Sequence, residues 1–216
     1  MIISNKLNNL DFKNEINIPP VIDAIIEKTR TSIVFKHIDG EKLETFPINY
    51  QAEVIFNCYS FLDKLSNELT RGEKKIYIRR SPWFYIFSLP VIWALLAIKH
   101  PSTFLKISRS FFQALPFAIH LFREKLIITH RDLSPENILI KDGIIFIIDF
   151  EQAVLTNKYY DQMYIFTEPR FAELKNELTK KSILRKDAFL WVYMVAHFAL
   201  DSANSQELFQ YYISIL

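Results

Sequence analysis

The 216-residue chain predicts an α+β fold with a small strand-bearing amino-terminal part and a mainly helical carboxy-terminal part. Three observations carry this. Half of the residues are apolar, enough for one domain or one domain of two lobes to bury a core. Short β-rich runs cluster before residue 40, whereas 3.6-residue apolar periodicity dominates after it. Within the helical part, Asp142-Gly143 stands between Ile138-Leu139-Ile140 and Ile144-Ile145-Phe146-Ile147-Ile148, the signature of a two-residue β-hairpin whose turn needs positive φ.

Taken in order, residues 1–18 are polar with scattered aliphatics, and the spacing of Ile3, Leu7 and Leu10 predicts a short helix stopped by Pro19-Pro20. Residues 21–26 and 32–38 read as two strands of an antiparallel hairpin that turns through residues 27–30 and ends at Asp39-Gly40. From about Asn49 to Leu69, Val54, Cys58, Leu62, Leu65 and Leu69 keep to one face of an amphipathic helix.

Residues 83–98, from Trp83 to Ile98, carry no charge, yet are preceded by Lys74, Lys75, Arg79 and Arg80 and followed by Lys99 and His100. A membrane-spanning helix needs about twenty apolar residues, and Pro90 sits near the middle of this shorter run, so one reading is a buried or kinked core helix. The other is peripheral contact with an anionic bilayer through Trp and Phe beside basic residues. Residues 102–125 predict a further helix kinked at Pro116, and Leu126-Ile127-Ile128 leads into His130. After Asp149 a loop is expected as far as Tyr159-Tyr160-Asp161, then helices over 171–180 and 188–200.

Several functions are disfavoured by composition. A net charge of +2 does not support a nucleic-acid binder, and the 19 Phe and 10 Tyr lack the interleaved basic residues of a base-stacking platform. Cys58, the sole cysteine, reads as a buried thiol of a reducing compartment, in keeping with a cytoplasmic or membrane-associated location. No signal peptide is expected, because Asn5, Lys6, Asn8, Asn9 and Asp11 interrupt any apolar run near Met1. Only Gly40, Gly72 and Gly143 occur, so neither the dinucleotide-binding glycine turn nor the P-loop spacing exists. Oligomeric state is open.

The chemistry concentrates between Thr129 and Asp149. A tight turn sets Lys141 opposite Ile144 and Ile138 opposite Ile147, so Asn137 falls opposite Ile148 and emerges beside Asp149. Two such oxygen donors suit a hard divalent cation such as Mg²⁺, which leaves its other positions to water and phosphate. Asp132 lies five residues before Asn137 in the same loop.

His130-Arg131-Asp132-Leu133-Ser134-Pro135-Glu136-Asn137 resembles the H-R-D-L-x-x-x-N catalytic loop of the protein-kinase-like superfamily, and Asp149-Phe150-Glu151 falls where that superfamily carries D-F-G. Glu in the third place is similar to the aminoglycoside phosphotransferase and choline kinase branch. The resemblance implies a protein-kinase-like fold with a reduced amino-terminal lobe: residues 1–40 as a remnant of the nucleotide lobe and hinge, residues 41–216 as the helical lobe with catalytic loop and metal site. It implies a phosphotransferase that moves the γ-phosphate of ATP, with Mg²⁺, to a hydroxyl of a small molecule, sugar or lipid-linked glycan. Asp132 would take or orient the acceptor proton, while Asn137 and Asp149 would hold Mg²⁺. His130 and Asp161 would support the loop, and backbone groups of Lys36, His37 and Ile38 would meet the adenine edge. The branch normally has further strands with a phosphate-covering turn and a Lys paired to a helix Glu, and no segment before Pro19 fits them. A catalytically degenerate binding module is therefore the alternative function.

Overall fold

The computed structural model describes residues 16–26, 31–75, 77–180, 188–202 and 205–216. The helix expected around Ile3, Leu7 and Leu10 lies outside the described residues. Just after it, Ile16–Asn17 is a strand (β1) rather than the end of a helix, and it pairs parallel with the second strand of the catalytic hairpin, Ile16 opposite Ile145. Ile16 and Ile18 are buried there, which extended backbone next to Pro19 permits and a helix running into a proline would not.

Strands β2 (Val21–Ile26) and β3 (Thr31–Phe35) form the expected antiparallel pair, with a register shift between Val21 and Asp23. β3 stops at Phe35, short of the predicted residue 38. The backbone then runs through Lys36, His37 and Ile38 without ladder pairing, Lys36 N–H donating to Pro20 C=O at 2.7 Å. Strand β4 (Glu41–Lys42) follows and pairs with Leu139 and Ile140 of the catalytic hairpin. Gly40 is what allows this approach: a Cβ there would lie 3.0 Å from the Ile140 carbonyl oxygen.

Helix α1 (Ile48–Glu68) matches its predicted bounds to within a residue. Ile55, Cys58, Leu62 and Leu65 are fully or almost fully buried at i, i+3, i+7 and i+10, each large aliphatic contributing about 1.5–3 kcal/mol by leaving water. Ser66 ties this helix to the site: its Oγ donates to Leu62 C=O at 2.6 Å and accepts from Ile128 N–H at 2.7 Å. A one-turn helix α2 (Arg71–Lys74) follows, opened by a reciprocal Thr70 and Glu73 capping box.

Helix α3 (Pro82–Lys99) runs through Pro90 without ending. It is not the buried core helix of the first reading, because only Tyr85, Leu89, Ile92 and Leu96 are buried. The expected single helix over 102–125 is broken as well. Helix α4 (Phe104–Ala114) passes into a 3₁₀ turn at Leu115–Phe117, where Pro116 cannot donate, and resumes as α5 (Ala118–Arg123).

Strand β5 (Leu126–Thr129) pairs antiparallel with β8 (Val154–Asn157), Thr129 opposite Val154. This second strand falls where a loop was expected. The local sequence Val-Leu-Thr suits a strand, but its partner lies 25 residues away across the catalytic loop. Between them, β6 (Ile138–Lys141) and β7 (Ile144–Ile147) have the predicted register, Lys141 opposite Ile144 and Ile138 opposite Ile147. Their sheet has the order β1-β7-β6-β4. Helices α6 (Tyr160–Thr167), α7 (Ala172–Lys180), α8 (Ala188–Asp201) and α9 (Gln206–Ile215) complete the helical part, with Phe189, Leu190, Val195 and Ala196 of α8 fully buried at its centre.

Candidate active site

The loop from His130 to Asn137 leaves the end of β5 and returns as β6, so the β5–β8 and β6–β7 pairs clamp both of its ends. Asp161, at the start of α6, holds the loop from below. Its Oδ2 accepts the His130 N–H at 2.9 Å and its Oδ1 accepts the Arg131 N–H at 2.7 Å. Burial raises the Asp161 carboxyl above its ordinary range, opposed by His130, these two N–H groups and Arg131. Arg131 has φ 74°, a left-handed backbone that costs a non-glycine residue roughly 1–2 kcal/mol, and the bond to Asp161 helps to offset it.

His130 is fully buried and joins the two halves of the site. Its Nε2 donates to Ile148 C=O at 2.6 Å, which fixes the tautomer, and its ring meets the Phe150 ring edge at 4.7 Å. Those contacts lie on either side of Asp149. Nδ1 of His130 is buried without a hydrogen-bond partner among the described residues.

The hairpin ladder extends one step beyond β6, the Ile148 N–H donating to Asn137 C=O at 3.0 Å. That bond sets the backbone of Asn137 beside the exit to Asp149. Asn137 Nδ2 donates to Asp132 C=O at 2.9 Å and to Asp132 Oδ2 at 3.0 Å. Both amide hydrogens are thus turned to Asp132, and the carboxamide oxygen is the atom left for a cation. Asp149 is exposed and left-handed, φ 64° and ψ 52°, a conformation Asp tolerates better than most residues. A hard cation of the Mg²⁺ type fits this donor set of one amide oxygen and one exposed carboxylate. Among the described residues no three His, Cys, Asp or Glu side chains converge, so the donors do not suit a zinc-type site. Among the described residues Asp132 Oδ1 is buried without a geometric hydrogen bond, with the Tyr164 phenol near its carboxyl, so it is an acceptor that can meet a donor from outside the chain.

Asp149 also lines a cleft of about 360 Å³ whose walls include Ile18, Phe35, Lys36, His37, Ile38, Leu139 and Phe150. The residues expected to face an adenine and the residue expected to face a cation therefore share one cavity. Since the Lys36 N–H is already bonded to Pro20, the Lys36 carbonyl and the peptide groups of His37 and Ile38 are the polar edges open to a ligand.

Sequence reasoning missed the groups on the other side of Asp132. Arg170 NH1 bonds both Glu136 carboxylate oxygens at 2.8 Å, and NH2 donates to the Tyr164 hydroxyl at 2.9 Å. Burial, then Asp132, push the Tyr164 phenol up, so it stays protonated. A second hollow is lined by Gln51, Pro135, Glu136, Arg170 and Phe171. No spacing in the sequence signals this group, because Glu136, Tyr164 and Arg170 come from three elements, the first and last 34 residues apart.

Residues 32–179 match the family model described as the phosphotransferase enzyme family, APH. No curated protein matches the sequence. Among solved structures, the gentamicin complex of APH(2'')-IIa superposes with a TM-score of 0.62 at 14% identity, covering 99% of this chain and 77% of that one. Spectinomycin phosphotransferase APH(9)-Ia, in complex with ADP and spectinomycin, gives a TM-score of 0.58 at 17% identity, covering 100% and 77%. A thermostable mutant of APH(4)-Ia, in a ternary complex with AMP-PNP and hygromycin B, gives 0.63 at 10% identity, covering 98% and 77%. At these identities the likeness establishes the kinase-like fold.

Proposed function

The chain belongs to the phosphotransferase enzyme family, and from that premise we propose that it transfers the γ-phosphoryl group of ATP to a hydroxyl of a small molecule, sugar or lipid-linked glycan. The observation that carries this reading is the shared cleft, with Lys36, His37 and Ile38 on one wall and Asp149 on another. An adenine seated against the peptide edges of His37 and Ile38 would direct its phosphates toward the open end of the hairpin. Neighbours in complex with ADP or AMP-PNP support a nucleotide in this place.

Asn137 Oδ1 and the Asp149 carboxylate would hold Mg²⁺, which when bound neutralises charge on the phosphates. Asp132 Oδ1 accepts the acceptor hydroxyl. As the bond between the γ-phosphorus and the ADP oxygen breaks and the bond to the acceptor oxygen forms, the hydroxyl proton passes to Asp132. Asn137 fixes the Asp132 carboxylate by bonding its other oxygen, and Asp161 fixes the backbone before it. The buried His130 positions the loop and Phe150 and takes no part in proton transfer.

A second reading, a kinase-like binding module without transfer, is favoured by the β2–β3 hairpin. Ile22, Ile33, Val34 and Phe35 are 66, 45, 44 and 40% exposed, so the hairpin carries apolar side chains that no described residue covers. Thermal unfolding with Mg²⁺ and ATP, and ATP turnover with a panel of hydroxyl acceptors, separate the two. At ligand near a hundred times Kd the midpoint should rise roughly 5–10 °C, and Asp149→Asn should lose most of that rise. Turnover abolished by Asp132→Asn supports the enzyme. Binding without turnover under any acceptor supports the module, and no thermal shift in the wild-type chain overturns both.

A further inference from the structure

Helix α3 has two apolar faces, and the fold uses only one. Tyr85, Leu89, Ile92 and Leu96 point inward and are 1, 1, 7 and 0% exposed. Tyr85 is held further by a hydrogen bond to the Thr156 hydroxyl and an edge contact with the Tyr193 ring at 4.9 Å. On the outside, Trp83, Phe87, Val91, Leu95 and Ile98 recur about every turn and are 55, 67, 58, 42 and 76% exposed. The surface continues onto α5, because the Trp83 ring stacks on Phe87 at 5.5 Å and meets the Phe122 edge at 5.0 Å. Scattered exposed apolar residues are ordinary, but a contiguous aromatic and aliphatic stripe along an 18-residue helix marks a contact surface.

The charge around the stripe identifies what it contacts. Residues 74–123 contain eight basic residues, Lys74, Lys75, Arg79, Arg80, Lys99, Lys106, Arg109 and Arg123, and no Asp or Glu, although the chain has 24 acidic residues elsewhere. Arg80 sits over the Phe84 ring at 4.8 Å at the start of α3, and Lys99 closes its end. A second copy would present the same excess of basic residues from 74–123 to its partner, and like charges would oppose such an isologous contact.

We propose that the outer face of α3, continued by Phe122 of α5, docks on the surface of an anionic lipid bilayer. The helix is apolar and long enough to cross a membrane, with a mean hydropathy of 1.5, but crossing would pull its four inner side chains out of the core. It lies in the interface instead, aromatic residues at the acyl boundary and basic residues among the headgroups. This surface is separate from the nucleotide cleft, so the proposal stands apart from phosphoryl transfer.

Co-sedimentation of the full chain with vesicles of phosphatidylglycerol and phosphatidylcholine, against phosphatidylcholine alone, tests it. Partition into the anionic vesicles should be about tenfold or more stronger and should weaken as salt rises. Phe87→Glu with Val91→Glu, both at exposed positions, should lower it about tenfold while the thermal midpoint is retained. Arg79→Gln with Lys99→Gln should remove most of the preference for anionic lipid and keep the residual apolar binding. Equal partition into neutral vesicles, no partition into either, or unchanged binding in both double variants would overturn the proposal. So would a concentration-dependent dimer in sedimentation velocity that Phe87→Glu with Val91→Glu dissolves, since the face would then serve self-association.

Discussion

Asn137 gives both of its amide hydrogens to Asp132, one to the backbone carbonyl at 2.9 Å and one to the side-chain Oδ2 at 3.0 Å. The carboxamide thereby orients the proposed proton acceptor and turns its own oxygen away. Asn137→Ala should lower kcat/KM roughly 10–100-fold, through loss of the proposed cation ligand and a loosened Asp132. Asn137→Asp sets a second carboxylate against Asp132, and like charges at this separation raise one titration of the pair. The acidic limb of the kcat/KM profile should then move to higher pH in Asn137→Asp, and by less in Asn137→Ala, which removes one hydrogen bond to the Asp132 carboxylate and adds no like charge. A limb that does not move would show that Asp132 is not the ionising group.

Asp161 gives the fold a pH dependence. Burial holds its folded-state carboxyl above the ordinary 3.8, so the native state binds more protons than the unfolded chain in that range. The favourable linkage is complete below about pH 4 and is lost as pH rises through the higher folded value. Urea unfolding of the wild type across this window should include that loss, and Asp161→Asn should lack it. The variant should also be less stable by about 1–3 kcal/mol, because an amide presents only one acceptor to two buried N–H groups. A variant with wild-type stability would mean that the two short bonds to His130 and Arg131 contribute nothing net.

Two glycines should fail for different reasons. Gly143 has φ +77° with open space around it, so Gly143→Ala should cost about 1 kcal/mol through backbone strain alone, and Gly143→Asn should recover much of this. Gly40 is limited by contact with the Ile140 carbonyl oxygen, so no side chain of any conformational preference should restore it. Equal rescue by Asn at both positions in thermal melts would contradict this division.

Cys58 should be inert in the folded chain. It is fully buried, and burial pushes its thiol far above the ordinary range. A thiol reagent at mildly alkaline pH should label it only as fast as the chain unfolds, so the labelling rate should follow urea concentration. Stoichiometric labelling under native conditions would place the thiol at a surface.

What the sequence determined by itself is local. The register of β6 and β7 follows from the tight turn at Asp142-Gly143, and the bounds of α1 follow from one apolar stripe, because both depend on neighbours within a few residues. The motif from His130 to Asn137 also pointed to the phosphotransferase family without coordinates, and the family match bears that out. The tertiary structure decided the rest. Pairing of β5 with β8, the grip of Asp161 on N–H groups 30 and 31 residues earlier, and the group of Arg170, Glu136 and Tyr164 all join distant segments. Such contacts form only where packing of the whole chain outweighs the entropy of closing the loop between them, and no local propensity records that balance. Residues 83–98 make the same point: their composition admits both a core helix and a membrane-facing helix. Only the fold shows that one face serves the core and the other is open.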